Sequence, residues 1–199
     1  MATPAISPSA IRSGPGIIYY KYGLTTMPTV TAAASKVVVP WVTDTWTQVG
    51  ATEDGLRYSE SVDTEELRVA ESQYPVRVVE TGKSGTIEFS LSHIHDLNWK
   101  LANNGGTITV TGTGATKLSA YVPPLVGQSV RVALGFQSLD DDEVIIWPQV
   151  FNSGGFETAR AGLETLSVLP VSFSVELPDT SVLATPYKRW TSGGLALGT

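Results

Sequence analysis

Residues 86–92 alternate strictly in polarity: Ile87, Phe89 and Leu91 are apolar, and Thr86, Glu88, Ser90 and Ser92 between them are polar. Successive side chains of an extended strand point to opposite faces, so this pattern specifies one buried and one solvated face. A helix would scatter the same residues around its axis. The period recurs along the chain. Leu56, Tyr58 and Val62 alternate with Arg57, Ser59 and Ser61, and Leu67 and Val69 with Glu66, Arg68 and Ala70. Ile108 and Val110 mark a strand at 107–111, and Val130, Val132, Leu134 and Phe136 mark another. The chain is therefore mainly β.

Other elements follow from punctuation. The run GIIYYKY at 16–22 reads as the first strand, and 37–39 and 46–50 as short ones around Pro40. Turns are expected at 62–65, at Gly82-Lys83-Ser84-Gly85, and at Asp140-Asp141-Asp142, where a hairpin returns through 144–147. A strand is expected at 117–122. The last long strand spans 164–177, and its apolar parity slips near Leu169-Pro170, which predicts a bulge. One segment, 92–104, has a helical stripe of Ile94, Leu97 and Leu101. Ser92 is placed to cap it, Asp96 to favour its first turn, and Gly105-Gly106 to end it. Residues 1–15 and 179–199 are weakly patterned and read as terminal arms around one domain, 16–178. No internal repeat is present.

Composition narrows the function. The 199 residues carry a net charge of -6, include no cysteine, and are only 16% charged. Thiolate metal sites, cysteine nucleophiles and disulfides are excluded. An acidic chain is a poor binder of nucleic acid, because phosphate neutralisation requires Lys and Arg. No apolar run reaches the roughly 18 residues of a membrane helix. The first residues lack the apolar segment of a secretory leader, so none is expected.

Chemical motifs are sparse. His93, His95 and Asp96 are metal-ligand types, but on a helix His93 and His95 point about 200° apart and do not converge on one ion. Asp140, Asp141, Asp142 and Glu143 lack the spacing of a calcium loop and read as a solvated turn. Glu53-Asp54 and Glu65-Glu66 sit in polar, exposed stretches without the enclosing pocket that separates the pKa values of a catalytic pair. No phosphate-cradling glycine loop or nucleophile elbow is present. No catalytic residue, metal or cofactor is expected. Trp41, Trp46, Trp147 and Trp190 leave a carbohydrate-binding surface as a minor alternative.

A series of short motifs stands in a telling order: WTQVG at 46–50, ATEDGL at 51–56, EELR at 65–68, YPVR at 74–77, TIEFSL at 86–91 running into the helix, IIWPQV at 145–150 and LPVSFSV at 169–175. Over about residues 16–178 this resembles the major tail tube proteins of long-tailed bacteriophages with non-contractile tails. The resemblance implies a β-sandwich flanked by one helix. It implies hexameric rings whose inner sheets join into one barrel, stacked into a tube around a tape-measure protein, with terminator and distal tail proteins at the ends. DNA would pass through the lumen unbound, in a virion tail assembled in the host cytoplasm. It also implies an inter-ring hairpin at 52–74, carrying Glu53, Asp54, Arg57, Glu60, Asp63, Glu65, Glu66, Arg68 and Glu71. On strand 86–92, Thr86, Glu88, Ser90 and Ser92 would then line the lumen. Six copies at -6 would give -36 per ring, a potential that repels phosphate. A contractile-type inner tube and a secretion-tube subunit share the ring architecture and stay as alternatives, as does a head–tail completion protein, which caps the tube with a single ring.

Overall fold

A computed structural model describes residues 15–33, 36–70, 73–155 and 167–192. Twelve strands and one helix follow in chain order. They are β1 (Gly16–Tyr22), β2 (Thr31–Ala33), β3 (Lys36–Val38), β4 (Thr47–Gln48), β5 (Arg57–Leu67), β6 (Arg77–Leu91), α1 (Asp96–Ala102), β7 (Thr107–Thr111), β8 (Leu118–Val122), β9 (Val132–Ser138), β10 (Glu143–Asn152), β11 (Leu169–Val175) and β12 (Lys188–Thr191).

One antiparallel sheet dominates, in the order β4-β1-β9-β10-β11-β6-β5, with β12 also paired to β10. β2–β3 and β7–β8 form two small separate hairpins. The sheet is strongly coiled. Tyr58 on β5 and Trp147 on β10 are three strands apart, roughly 14 Å in a flat sheet, yet their ring centroids lie 5.4 Å apart. The expected sandwich of two sheets thus takes the form of one large curled sheet, closed by a helix on its inner side.

The inner face carries the main core. Ile87, Phe89 and Leu91 of β6 meet Leu169, Val171 and Phe173 of β11, Leu134 of β9, Trp147 of β10, and Leu101 of α1. The alternation of 86–92 thus places its apolar residues inward, as read. The opposite face is divided. Over β1, β9 and β10 it is covered by residues 24–33 and 36–46, which build a second core of Val37, Val39, Trp41 and Trp46 on Ala133, Val144 and Ile146. Over β11, β6 and β5 no comparable cover occurs among the described residues. Strands β9 and β10 are therefore apolar on both faces, which blurs their alternation.

Gly135 makes the second core possible. Trp41 lies across it, stacked on Tyr19 at 4.5 Å and edge-on to Trp46 at 5.0 Å. A Cβ on Gly135 would fall 2.6 Å from Trp41 Cη2.

Several sequence expectations change. Residues 62–65 are not a turn: β5 runs through them, with a register shift between Asp63 and Thr64. Gly82-Lys83-Ser84-Gly85 is not a turn either, but lies inside β6. Two long strands replace four short ones because backbone pairing outweighs the local turn preference of glycine. The helix is shorter than 92–104, and its N-cap is His95, whose Nδ1 accepts from the N–H groups of Leu97 and Asn98. Ser92 is drawn away because its N–H donates to the Ala51 carbonyl. β11 pairs regularly with β6 from Leu169 to Val175, with no bulge at Leu169-Pro170; residues 164–166 of the expected strand lie outside those described. Residues 188–191, read as part of an arm, are β12 and join the sheet on β10. Residues 1–14 of the N-terminal arm lie outside the described residues.

Two asparagines tie the helix to the sheet. Asn104, in the left-handed region at φ 54°, donates from Nδ2 to the Asn152 carbonyl at 2.8 Å and accepts the Asn152 N–H at 2.7 Å. Asn152 Nδ2 donates to the Ala102 carbonyl at 2.6 Å. The exchange satisfies backbone groups that the helix end would otherwise leave buried and unpaired.

The Gly135→Ala change forces the immobile Trp41 from its stack. It should destabilise by about 1–3 kcal/mol, at roughly 2–4 °C of melting temperature per kcal/mol for a chain this size. An unchanged melting temperature would show that the second core yields without cost.

Candidate functional site

The bare half of the outer face is polar along three strands. Across β5, β6 and β11 the register sets Arg57 beside Glu88 and Ser172, Ser59 beside Thr86 and Ser174, and Ser61 beside Ser84. Ser90 stands opposite Pro170. Thr86, Glu88 and Ser90 therefore share one face, opposite the core. Ser92 lies just past the end of β6, and its backbone is held by residue 51. Glu88 is exposed but not bare: Arg57 Nη1 lies 4.0 Å from its Oε2, both side chains being half-exposed or more. Such a pair contributes about 0–1 kcal/mol. Asp54, Arg57, Glu88, Ser90 and Ser172 line a shallow cleft of about 450 Å³. The face thus mixes both signs of charge with hydroxyls, and offers little that would grip a ligand.

The residues read as an inter-ring hairpin divide into two groups. Thr52 bridges Leu91, and Glu53 N–H donates to the Ser90 carbonyl at 2.9 Å, so Glu53 and Asp54 lie along the base of β6. Arg57 and Glu60 belong to the part of β5 that covers the main sheet. Tyr58 donates to Glu60 Oε2 at 3.0 Å. Burial and that carboxylate push the Tyr58 hydroxyl well above its ordinary pKa. Asp63, Glu65, Glu66 and Arg68 lie further out; Glu71 lies outside the described residues.

The outer part has a clear structural origin. β11 ends at Val175, opposite Gly85, whereas β6 continues to Arg77. Beyond Gly85, residues 77–84 pair only with β5 among the described residues. Residues 61–67 and 77–84 form a two-stranded ribbon leaving the sheet. Val62, Leu67 and Val78 on it, and Val69 and Val76 at its tip, are each about half exposed or more. Its charges pair locally, Arg68 with Glu66 at 2.5 Å and Lys83 with Glu80 at 3.1 Å. The sequence reading missed these exposed valines, although their spacing on an acidic segment was there to be seen.

A second surface lies at the other end of the sheet. The end of β1, the C-terminus of α1, and the loop after β8 enclose an open groove of about 990 Å³. Its walls include Val122, Pro124, Leu125 and Val130, with Lys100 and Arg131 at its sides. Lys100 Nζ lies 5.1 Å above the Tyr22 ring. Arg131 donates twice to Glu176, at 3.0 and 3.2 Å, and its guanidinium holds the Glu176 carboxyl below the ordinary range.

No protein-family model matches this chain, and no curated protein matches it. Among solved structures, a chain from the cryo-EM structure of the anti-feeding prophage baseplate, six-fold symmetrised, aligns at a TM-score of 0.39 and 10% identity. The alignment covers 96% of this chain and 98% of that one. A likeness that weak says nothing about what this chain does.

The remaining sequence candidates have structural assignments. Trp41, Trp46 and Trp147 are buried, so the carbohydrate reading loses three of its four aromatics; Trp190 is half-buried on β12 beneath Lys188. Asp141 takes φ 57° at the β9–β10 turn, and Asp142 accepts from Ser138, so this acidic run is a hairpin tip. No group of three metal-ligand side chains occurs among the described residues, nor any helix long and apolar enough to cross a membrane. His93 and His95 lie with ring centroids 4.7 Å apart, near perpendicular, but His95 Nδ1 is engaged as the helix cap.

That cap requires a neutral imidazole. Burial lowers the His95 pKa below its ordinary value, and the His93 charge adds to this. A folded pKa below the unfolded one means stability is present above about pH 6.5 and is lost as pH falls through the folded value. Replacing His95 with Asn keeps a good cap without a titrating group. Its melting temperature should fall less than that of the wild type between pH 7 and pH 5. His95→Ala should cost about 1 kcal/mol at neutral pH. Parallel pH profiles for wild type and His95→Asn would refute the cap assignment.

Proposed function

We propose that this chain is a structural, non-enzymatic subunit of a bacteriophage tail tube, built of stacked hexameric rings of the non-contractile type. The observation that carries the reading is the ribbon beyond Gly85. A two-stranded ribbon is marginal in water on its own, and this one exposes apolar side chains and has no further strand paired at its edges among the described residues. Such an edge is a template for another chain. A ribbon built into the longest strand of the main sheet is suited to bridging subunits. A subunit that polymerises needs this kind of device; a monomeric binding module does not.

Two further features agree. The bare polar face over β5, β6 and β11 suits a wall past which a polyanion slides, because hydroxyls and compensated charges offer phosphate little purchase. The net charge of -6 adds a repulsive background. In this reading Thr86, Glu88 and Ser90 face the lumen, DNA passes without specific binding, and a tape-measure protein occupies the channel before ejection. Terminator and distal tail proteins close the two ends, and assembly takes place in the host cytoplasm.

Electron microscopy of the purified protein tests the reading. Long hollow polymers are expected. Isolated rings that never stack would assign the chain to a head–tail completion role, and particles that stay monomeric at high concentration would remove the tube. Replacing residues 62–82 with a short turn cuts only the ribbon and leaves the core of β6 in place. That variant should keep a cooperative melt and lose stacking. Amides of the ribbon should exchange fast in the free subunit and slowly in the polymer.

The lumen assignment has its own test. Glu88→Lys changes the charge by two at a site outside the core, so the fold and the tails should form normally. It sets a second cation beside Arg57, and six such pairs per ring would hold phosphate. DNA ejection should slow, most at low salt. Normal tails ejecting DNA at the wild-type rate in low salt would move Glu88 to the outer surface.

A further inference from the structure

The chain holds four asparagines, and one of them, Asn104, precedes a glycine. In such a pair the backbone nitrogen that follows the asparagine is a latent nucleophile, because glycine has no side chain to keep it from turning back onto the asparagine amide. The attack needs two freedoms. The nitrogen must leave its own hydrogen bond, and it must meet the amide carbon aligned and in near-contact. The fold removes both.

Asn104 follows Asn103, the C-cap of α1, and closes the helix in a Schellman arrangement. Its N–H donates to the Leu101 carbonyl at 3.2 Å, and the Gly105 N–H donates to the Lys100 carbonyl at 2.8 Å. The left-handed φ of 54° is the conformation this motif needs and asparagine tolerates. The nucleophilic nitrogen is thus held by the helix. The electrophilic amide is held by the sheet, since both of its polar atoms engage the Asn152 backbone on β10. The Val130 N–H donates to the Asn104 carbonyl at 2.7 Å, and Asn104 is only 7% exposed. Asn152 is fixed in turn by its side chain, which donates to the Ala102 carbonyl and accepts the Ser172 N–H at 3.2 Å.

We propose that Asn104-Gly105 is a deamidation site, closed in the folded chain and opened only when the end of α1 leaves β10. Once it is open, hydroxide takes the proton of the Gly105 amide, the nitrogen attacks Asn104 Cγ, and the Cγ–Nδ2 bond breaks. Ammonia departs and a five-membered succinimide remains. Water then opens the ring at either carbonyl and leaves aspartate or isoaspartate, with no oxidation or reduction. The change runs one way. An aspartate at this position has no N–H for the Asn152 carbonyl, so two acceptors face each other and a charge is left in a buried site. An isoaspartate lengthens the backbone inside the Schellman turn. A chain that has opened here for long enough therefore refolds into a weaker form, whatever it assembles into.

Trypsin releases residues 101–117 as one peptide, between Lys100 and Lys117, and fragmentation in the mass spectrometer separates Asn103 from Asn104. The protein is held at mildly alkaline pH, folded or in guanidinium chloride, and sampled over time. Conversion at Asn104 should be at least about a hundredfold slower in the folded chain, because it proceeds only from the small open fraction. Folded and unfolded rates within a few-fold of each other would overturn the closure. Asn152→Ala removes the bonds to Ala102 and Ser172 and keeps the backbone groups that hold Asn104. It should raise the folded-state rate roughly tenfold and leave the rate in denaturant unchanged; no rise in the folded state would detach the closure from β10. The Asn104→Asp variant carries one product, and should melt roughly 3–10 °C below the wild type. An unchanged melting temperature would overturn the weakening. If Asn152→Ala does not fold, the wild-type ratio decides the closure and Asn104→Asp decides the weakening, since neither uses that variant.

Discussion

The structure turns on a mismatch of strand lengths. β6 has 15 residues and its neighbour β11 has 7. Where the two overlap, from Gly85 to Leu91, β6 is a central strand with its apolar side chains buried and its backbone bonded on both sides. Where they do not, the same strand becomes half of a ribbon. Among the described residues no strand replaces β11 there, so that edge of β6 turns to water or to another partner. One covalent strand thus joins the best-buried part of the molecule to its most exposed part. A load on the ribbon is passed through backbone into Ile87, Phe89 and Leu91 rather than into a loop.

The division of the outer face follows a second mismatch. Among the described residues, 24–33 and 36–46 cover β1, β9 and β10, and Gly135 allows Trp41 to lie close enough to seal them. The price of that cover is loss of a regular alternation on β9 and β10, whose residues are apolar on both sides. The uncovered half has no comparable requirement, and serine occupies it on three strands: Ser59, Ser61, Ser84, Ser90, Ser172 and Ser174. Two halves of one sheet face therefore carry opposite chemistry, one sealed and one bare, with the boundary running between β10 and β11.

Much of this was legible in the residues. The inward set of β6 and the hairpin tip at Asp141 follow from period and turn chemistry; of the expected helical stripe Leu101 reaches the core, whereas Leu97 is exposed and Ile94 precedes the helix. What escaped has a physical reason in each case. Glycines 82 and 85 read as a turn, but Gly82 is tolerated in a ribbon with few side chains to pack on it, and at Gly85 the strand is pressed between Tyr58 and Val175, where a Cβ would lie 3.1–3.2 Å from both. Asp63-Thr64 read as a second turn and is instead a register shift, which local sequence does not distinguish. β12 has no alternation because only four residues pair, and its partner β10 provides the order. His95 displaced Ser92 as the cap because Ser92 is held by the strand at residue 51, a partner 41 positions away. The groove left no sequence signal: its walls come from β1, α1 and the loop after β8, and only the fold brings them together.

The ribbon's charges bear on how such a subunit avoids associating too early. An exposed strand edge invites pairing with any extended chain. Here the ribbon part of the outer strand, β5, carries Asp63, Glu65 and Glu66, so two such edges approaching each other side by side bring like charges together. Exposed like charges repel within about 8–10 Å at moderate salt. That disfavours ribbon-to-ribbon pairing and leaves contact with a surface of opposite sign as the favoured outcome.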